Sequence, residues 1–373
     1  MTKRKSEHGF NISMEALRKY LTTVYGSEVK VLDTWQLSGQ KLEHEDLKGF
    51  GYGFPFVIEF AVGTDVKRVV LETMRAEGFG HEYPSDRAQV LLLQYSTFNK
   101  LPRHVRSVDV GALVPDSGGL ATLGKCGEFF ILTEFVEGKL YHVDLDTIKE
   151  TGKTSKLDEQ RCLALSDYLV EIHKVRREAP ELYVRRAREL VGQGECVMGL
   201  LDSYPPDLDF MSEADLISIE RHCVEWRWRL KHKTHRLKQV HGDFHPWNVL
   251  FREGSDFTVL DRSRGEWGEP ADDITAMTIN YIFYSLQKYG KLAGAFERLF
   301  KIFWGNYLQK TGDKEILEVV QPFYAWRGLV VASPVWYPHL ETRVRASLIN
   351  FVKNVLACEK FDLEHVNSYF NCA

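Results

Sequence analysis

One stretch, Val240-His241-Gly242-Asp243-Phe244-His245-Pro246-Trp247-Asn248-Val249-Leu250-Phe251, constrains this 373-residue chain more than any other. A glycine-containing turn, Arg252-Glu253-Gly254-Ser255-Asp256, follows it, and then a second apolar run, Phe257-Thr258-Val259-Leu260-Asp261. Two short apolar runs around such a turn predict a β-hairpin. If Phe251 pairs with Phe257, then Val249 faces Val259 and Trp247 faces Asp261. Asn248 and Asp261 then emerge side by side at the open end of the hairpin. The loop carrying Asp243 begins there too, so three oxygen-bearing side chains are expected at one point.

The hairpin sits inside a chain whose character changes near its first third. Ser13 can cap a helix over 13–26 that Gly26 can end, with Met14, Leu17, Leu21 and Val24 on one face. Val31 to Leu37, Phe54 to Val62, Lys67 to Met74, Val105 to Val114 and Phe129 to Phe135 read as strands. Gly63-Thr64-Asp65 is a hairpin signal, and Pro84 suits the first turn of a helix through Leu91. After Gly138 helical spacing takes over, with Cys162, Leu165, Leu169 and Ile172 as one stripe and Leu216, Ile219, Cys223 and Trp226 as another. At roughly 150 residues per domain the length allows about 2.5 units. The expectation is an α+β, two-lobed protein: residues 1–137 with an antiparallel sheet and the leading helix, and a mainly helical 138–373.

Composition narrows the class. A hydrophobic fraction of 44% and a charged fraction of 27% exclude disordered and fibrous chains. A formal net charge of -4 argues against a surface built for nucleic acid. The six cysteines form no CxxC pair, as expected in a reducing compartment, and the basic start leads into no apolar stretch. Charge-free runs such as Ile274 to Gln287 are too short to span a membrane. A cytoplasmic location is expected, and no feature specifies an oligomeric state.

Phosphoryl transfer needs a carboxylate to orient or deprotonate the attacking hydroxyl, and an amide and a second carboxylate to hold magnesium against phosphates. His-x-Asp-x-x-x-x-Asn has the spacing of a kinase catalytic loop. The stretch resembles the aminoglycoside phosphotransferase and choline kinase-like family, as does Gly268-Glu269-Pro270-Ala271-Asp272-Asp273-Ile274. The resemblance is dense over 240–275 and elsewhere rests on element order. It implies a protein kinase-like fold, ATP or GTP with Mg²⁺, and a small-molecule hydroxyl as acceptor. It also implies Asp243 as the catalytic residue and Asn248 and Asp261 as metal ligands.

Further parts follow by position. Gly49, Gly51 and Gly53 lie where a glycine-rich loop would cover phosphates, although Ser38-Gly39 could serve equally. Backbone groups near Glu134 and Val136, in Ile131 to Gly138, match the link between lobes that would bond the nucleotide base. His173 matches a helix before the catalytic loop, with packing as the simpler role. On the third strand, Val69 to Arg75, Glu72 stands where the family has a lysine, and Asp86 or Arg87 takes the place of its helix partner.

Glu72 sustains an alternative, a catalytically silent relative that binds nucleotide or a partner. A second alternative has His241, Asp243, His245 and Asp261 ligating a transition metal for hydrolysis. The basic run from Arg227 to Lys238 reads as a solvated face, Arg262 and Arg264 as phosphate contacts or surface ion pairs. The aromatic segment around Trp326, Arg327, Trp336 and Tyr337 reads as core or as the wall of an acceptor pocket.

Overall fold

The computed structural model describes residues 13–37, 55–74, 84–114, 119–121 and 128–371. Gly49, Gly51 and Gly53 lie outside these residues, as do Gly39 and Arg75.

Helix α1 (Met14–Tyr25) begins and ends on the expected signals. The Ser13 hydroxyl accepts from the Ala16 N–H at 3.1 Å, and Gly26 closes the helix in the left-handed region, φ 65°. Such a cap contributes about 1 kcal/mol. Leu17 and Leu21 are buried, but Met14, expected in the same stripe, is exposed. Tyr20 packs against the sheet instead, edge-on to Phe130 at 5.3 Å, with its hydroxyl donating to Asp109 at 2.6 Å.

Strands β1 (Val29–Gln36), β2 (Phe56–Val62), β3 (Asp65–Thr73), β4 (Ser107–Val114), β5 (Gly119–Ala121) and β6 (Glu128–Glu134) form one antiparallel sheet in the order β1-β2-β3-β6-β4-β5. The β2–β3 turn is Gly63-Thr64, so β3 starts two residues earlier than the sequence suggests. Strand β5 was not expected, because three residues are too few to show alternation. Period-2 alternation gives the sheet two apolar faces. Ile58, Phe60, Val69, Leu71, Phe130 and Leu132 pack with α1. Ile131 points to the other face and packs with Leu91 of helix α2 (Pro84–Thr97) and with Phe98 and Val105.

Past the two-residue strand β7 (Lys139–Leu140) come α3 (Tyr141–Thr151), α4 (Lys156–Ile172), α5 (Pro180–Gly192), α6 (Val197–Asp202) and α7 (Glu213–Leu230). Ser155 and Ser212 open α4 and α7 with reciprocal capping boxes to Asp158 and Asp215. The α4 stripe is fully buried, and of the α7 stripe Leu216 alone remains partly exposed. Short strands β8 (Lys238–Gln239), β9 (Val249–Phe251), β10 (Phe257–Val259) and β11 (Trp267–Gly268) then precede α8 (Pro270–Tyr289), α9 (Gly294–Thr311), α10 (Gln321–Ala332) and α11 (Thr342–Ala357). Helix α8 is buried all round from Pro270 to Leu286, which makes it the central post of the helical part. Gly328 lets α11 close on α10, since a Cβ there would lie 2.7 Å from Val352 Cγ2. No helix among the described residues is long and apolar enough to cross a membrane.

The sheet and the helices are joined by more than the chain. The Val105 N–H donates to Val259 O at 3.2 Å, and the Val259 N–H donates to Arg103 O at 3.1 Å. The segment that leaves α2 thereby pairs in parallel with β10.

Candidate active site

The hairpin has the expected register: Phe251 opposite Phe257, Leu250 opposite Thr258, Val249 opposite Val259. Beyond it pairing does not continue to Trp247 and Asp261, because Pro246–Asn248 turn into a short 3₁₀ helix. One bond still ties the ends together, the Leu260 N–H donating to Asn248 O at 2.9 Å. Asp261 follows in the left-handed region with φ 52°, a conformation that aspartate tolerates better than most side chains. Its Oδ1 accepts from Gln94 Nε2 of α2 at 3.2 Å. The Asn248 Nδ2 donates to Asp243 O at 3.0 Å, with Asp243 Oδ2 3.4 Å away. Asp243, Asn248 and the start of the Asp261 segment are thus linked hand to hand.

Two arginines that the sequence did not tie to this point reach Asp243. Arg327 of α10 donates from Nη1 to Asp243 Oδ1 at 2.6 Å and from Nη2 to Asp272 Oδ1 at 2.6 Å. Arg264 Nη1 lies 3.0 Å from the same Asp243 oxygen, and its Nη2 lies 3.4 Å from Glu195. Burial pushes the Asp243 carboxyl up, but Arg264, His245 and Arg327 outweigh it and hold the group well below the usual carboxylate range. Asp272 moves the other way, because for it burial prevails over Arg327.

The loop itself hangs from α8. Asp273 accepts from the His241 N–H at 2.8 Å and the Gly242 N–H at 2.7 Å. His173 Nε2 lies 3.1 Å from the same carboxylate, and its Nδ1 lies 2.9 Å from the Tyr307 hydroxyl. Burial raises the Asp273 carboxyl, and His173, His241 and the loop amides more than reverse it. His173 therefore packs and hydrogen-bonds at one remove from Asp243. Gly242 has φ 87°, and a Cβ there would lie 3.2 Å from Arg264 Cβ, so only glycine suits the position. The wholly buried Arg262 donates to Val240 O, Glu266 O and Thr97 O, fastening both flanks of the loop to the end of α2. Arg262 and Arg264 are thus buried structural cations, against the surface ion pairs that the sequence allowed.

Other expected residues lie elsewhere. Glu134 and Val136 line an open groove of about 1230 Å³ with Arg103, Tyr168 and Phe257, and none of Asp243, Asn248 and Asp261 borders it. Glu72 sits on β3 opposite Ile131. Burial, with Asp261 nearby, pushes its carboxyl up to about 7. In the basic run, Arg236 is buried against Glu269 and Asp313, and Lys233 pairs with Glu315 at 2.7 Å. Arg229 lies over Trp226 and Lys231 over Trp228. Those cations thus have partners within the protein.

The histidine-rich hydrolase alternative fails on geometry. His241 Nδ1 accepts from the Asp243 N–H at 3.2 Å, and His245 Nδ1 accepts from the Trp247 N–H at 3.2 Å. Among the described residues no three His, Cys, Asp or Glu side chains come together to hold a metal. Asn248 and Asp261 fit a different ion. With its amide nitrogen bonded to Asp243 O, Asn248 keeps its oxygen for a hard cation, and Asp261 supplies a carboxylate. Oxygen donors of this kind suit Mg²⁺ when phosphates and water complete the shell.

Comparison with known proteins bears on the family and the fold. The sequence model described as Phosphotransferase enzyme family matches residues 60–299. Among solved structures, amicoumacin kinase hAmiN in complex with AMP-PNP and Ca²⁺ is 14% identical with a TM-score of 0.53, over 95% of this chain and 98% of that one. A putative fructosamine-3-kinase from Haemophilus somnus 129PT is 11% identical with a TM-score of 0.51, over 91% and 97%. At such identity these similarities speak to the fold, which they share over nearly full length. No curated protein matches the chain.

Proposed function

Because the chain belongs to the phosphotransferase enzyme family, we propose that it transfers the terminal phosphoryl group of ATP (or GTP) to a hydroxyl of a small molecule. The observation that carries this reading is the linkage of Asp243, Asn248 and Leu260-Asp261 through two hydrogen bonds. A carboxylate, an amide oxygen and a second carboxylate are the three donors that the reaction asks for. The division of labour is Asp243 toward the acceptor hydroxyl, Asn248 and Asp261 toward Mg²⁺. When bound, the ion would neutralise charge on the phosphates.

Arg264 and Arg327 keep Asp243 ionised, so it is a weak base suited to orienting the hydroxyl and taking its proton late in the transfer. The cleft beside it, walled by Trp247, Trp326, Arg327 and Tyr337, is our candidate acceptor site. Gly49, Gly51 and Gly53 would approach the phosphates, and the backbone at Glu134 and Val136 the nucleotide base. This reading treats 1–137 as the nucleotide lobe and 138–373 as the acceptor lobe. It also implies the cytoplasm, where nucleoside triphosphate is abundant.

Asp243→Asn tests it. Turnover measured as ATP consumption with MgCl₂ and a hydroxylated acceptor is expected to fall by about 10³-fold or more, with ATP affinity nearly unchanged. Undiminished turnover would reject the role of Asp243.

One observation favours a second reading. Glu72 adds a carboxyl beside Asp261 where phosphates would call for a cation. A nucleotide or partner binder without turnover would carry such a change. Thermal stabilisation by ATP and MgCl₂ without acceptor phosphorylation would favour it.

A further inference from the structure

Resting on the phosphotransferase reading, we infer that the acceptor is an uncharged, hydroxyl-bearing molecule with a flat apolar body, and not a polycation. The cleft in front of Asp243 is open to solvent, and Trp247, Trp326, Trp336, Tyr337, Ile279 and Val331 are among the residues of its wall. Large aromatic faces favour flat apolar surfaces.

Charge decides against a polycation. The acidic side chains of the wall are Glu195 and Asp243, and Arg264 and Arg327 match them, with His245 3.5 Å from Asp243 besides. Arg327 lies 2.6 Å from Asp243, and Arg264 lies within 3.4 Å of both acids. The guanidiniums also stack on Trp326, at 3.8 Å for Arg327 and 4.7 Å for Arg264. An ammonium group entering here would shed water and meet acids already matched by cations, and the Trp326 face that could attract it is already covered by Arg264 and Arg327.

The polar groups left over ask for a neutral partner. Asn280 of α8 is buried, and its Nδ2 donates to Ala276 O at 2.8 Å, which fixes the amide's orientation. Its Oδ1 is buried in the wall without a hydrogen-bond partner, and so is Arg327 Nε. Among the described residues, Asn280 thus offers an acceptor and Arg327 a donor that no protein group takes. A hydroxyl can be either, so an alcohol or polyol on an aromatic or similarly flat skeleton satisfies both without bringing charge.

Calorimetric titration of the purified full chain tests this. The uncharged probes are 2-(4-hydroxyphenyl)ethanol and 4-nitrophenyl β-glucoside, the polycations kanamycin and spermidine, each with ATP and MgCl₂ present. At least one uncharged probe is expected to bind at least about tenfold more tightly than either polycation. Asn280→Leu is expected to weaken that probe about tenfold, and Asn280→Asp to raise the affinity for polycations. Thermal melts establish that each variant is folded, and the aspartate variant serves if the leucine one is not. Polycations binding as tightly as the uncharged probes, or no uncharged probe binding below about 10 mM, overturns the inference. A thermal shift with ATP and MgCl₂ alone separates the two readings. If nucleotide does not bind, the phosphotransferase reading fails; if it binds and the probe order is reversed, only the acceptor class fails.

Discussion

Asp243 divides its carboxylate between Arg264 and Arg327, and Arg327 divides its guanidinium between Asp243 and Asp272. Replacing Arg327 by Met would leave Asp272 buried without its ion-pair partner and Asp243 with Arg264 alone of its two arginines. A loss of about 3–5 kcal/mol in urea unfolding is expected, with the Asp243 carboxyl moving back up. A variant as stable as the parent would show that the ion pair contributes nothing. Glu72 is the contrary case, an acid raised to about 7 from an ordinary 4.5. Its folded-state value lies above the unfolded one, so its stabilising contribution is complete below pH 4.5 and is lost as pH rises through 7. Glu72→Gln should therefore raise the urea midpoint at pH 8 and not at pH 4.5. Glu72→Lys should tighten ATP binding about tenfold by calorimetry, and weaker binding would mean that the carboxyl itself serves the nucleotide. At this scale spacing predicted that Asp243, Asn248 and Asp261 would be brought to one point, and the family resemblance singled out Glu72. It noted Arg327 without tying it to Asp243, since 84 residues separate them and no periodicity relates them.

Among elements, the hairpin was the most legible, because β9 and β10 are short, apolar and separated by a glycine turn, which fixes their register. The strands and α1 were legible for similar reasons of alternation and capping. What holds the Asp243 loop was not, since Asp273 acts from α8 on backbone amides, and acceptors of backbone bonds leave no pattern in sequence. Asp273→Ala would strand the His241 and Gly242 amides and the His173 ring inside the protein. A loss of about 3–5 kcal/mol is expected, together with a fall in turnover even where the protein stays folded. A stable variant with full activity would show that the loop holds its shape unaided. The left-handed backbone of Asp261 was equally hidden, being set by the tertiary bonds of Leu260 and Gln94 around it.

For the whole molecule, two buried rings set the response to acid. His104 and His241 lie 5.9 Å apart, and burial, aided by their mutual repulsion for His104, holds them at about 3 and about 4. Both values are below the ordinary 6.5, so between pH 6.5 and 4 the unfolded chain binds more protons and stability falls as pH is lowered. Glu72, raised to about 7, takes up a proton over the same range and offsets part of this, so a net drop of about 1–2 kcal/mol between pH 7.5 and 5 is expected in urea titrations, and His104→Gln should remove it. An unchanged slope would mean that the rings are hydrated in solution. The change from sheet to helices was readable from the switch in periodicity near Gly138, whereas the seam between them was not, because it rests on main-chain groups of Arg103, Val105 and Val259 and on the side chains of Gln94 and Arg262. That seam has a mechanical consequence. Since Gln94 and Arg262 join the same two regions on either side of Asp261, a displacement of α2 would be carried straight to that carboxylate.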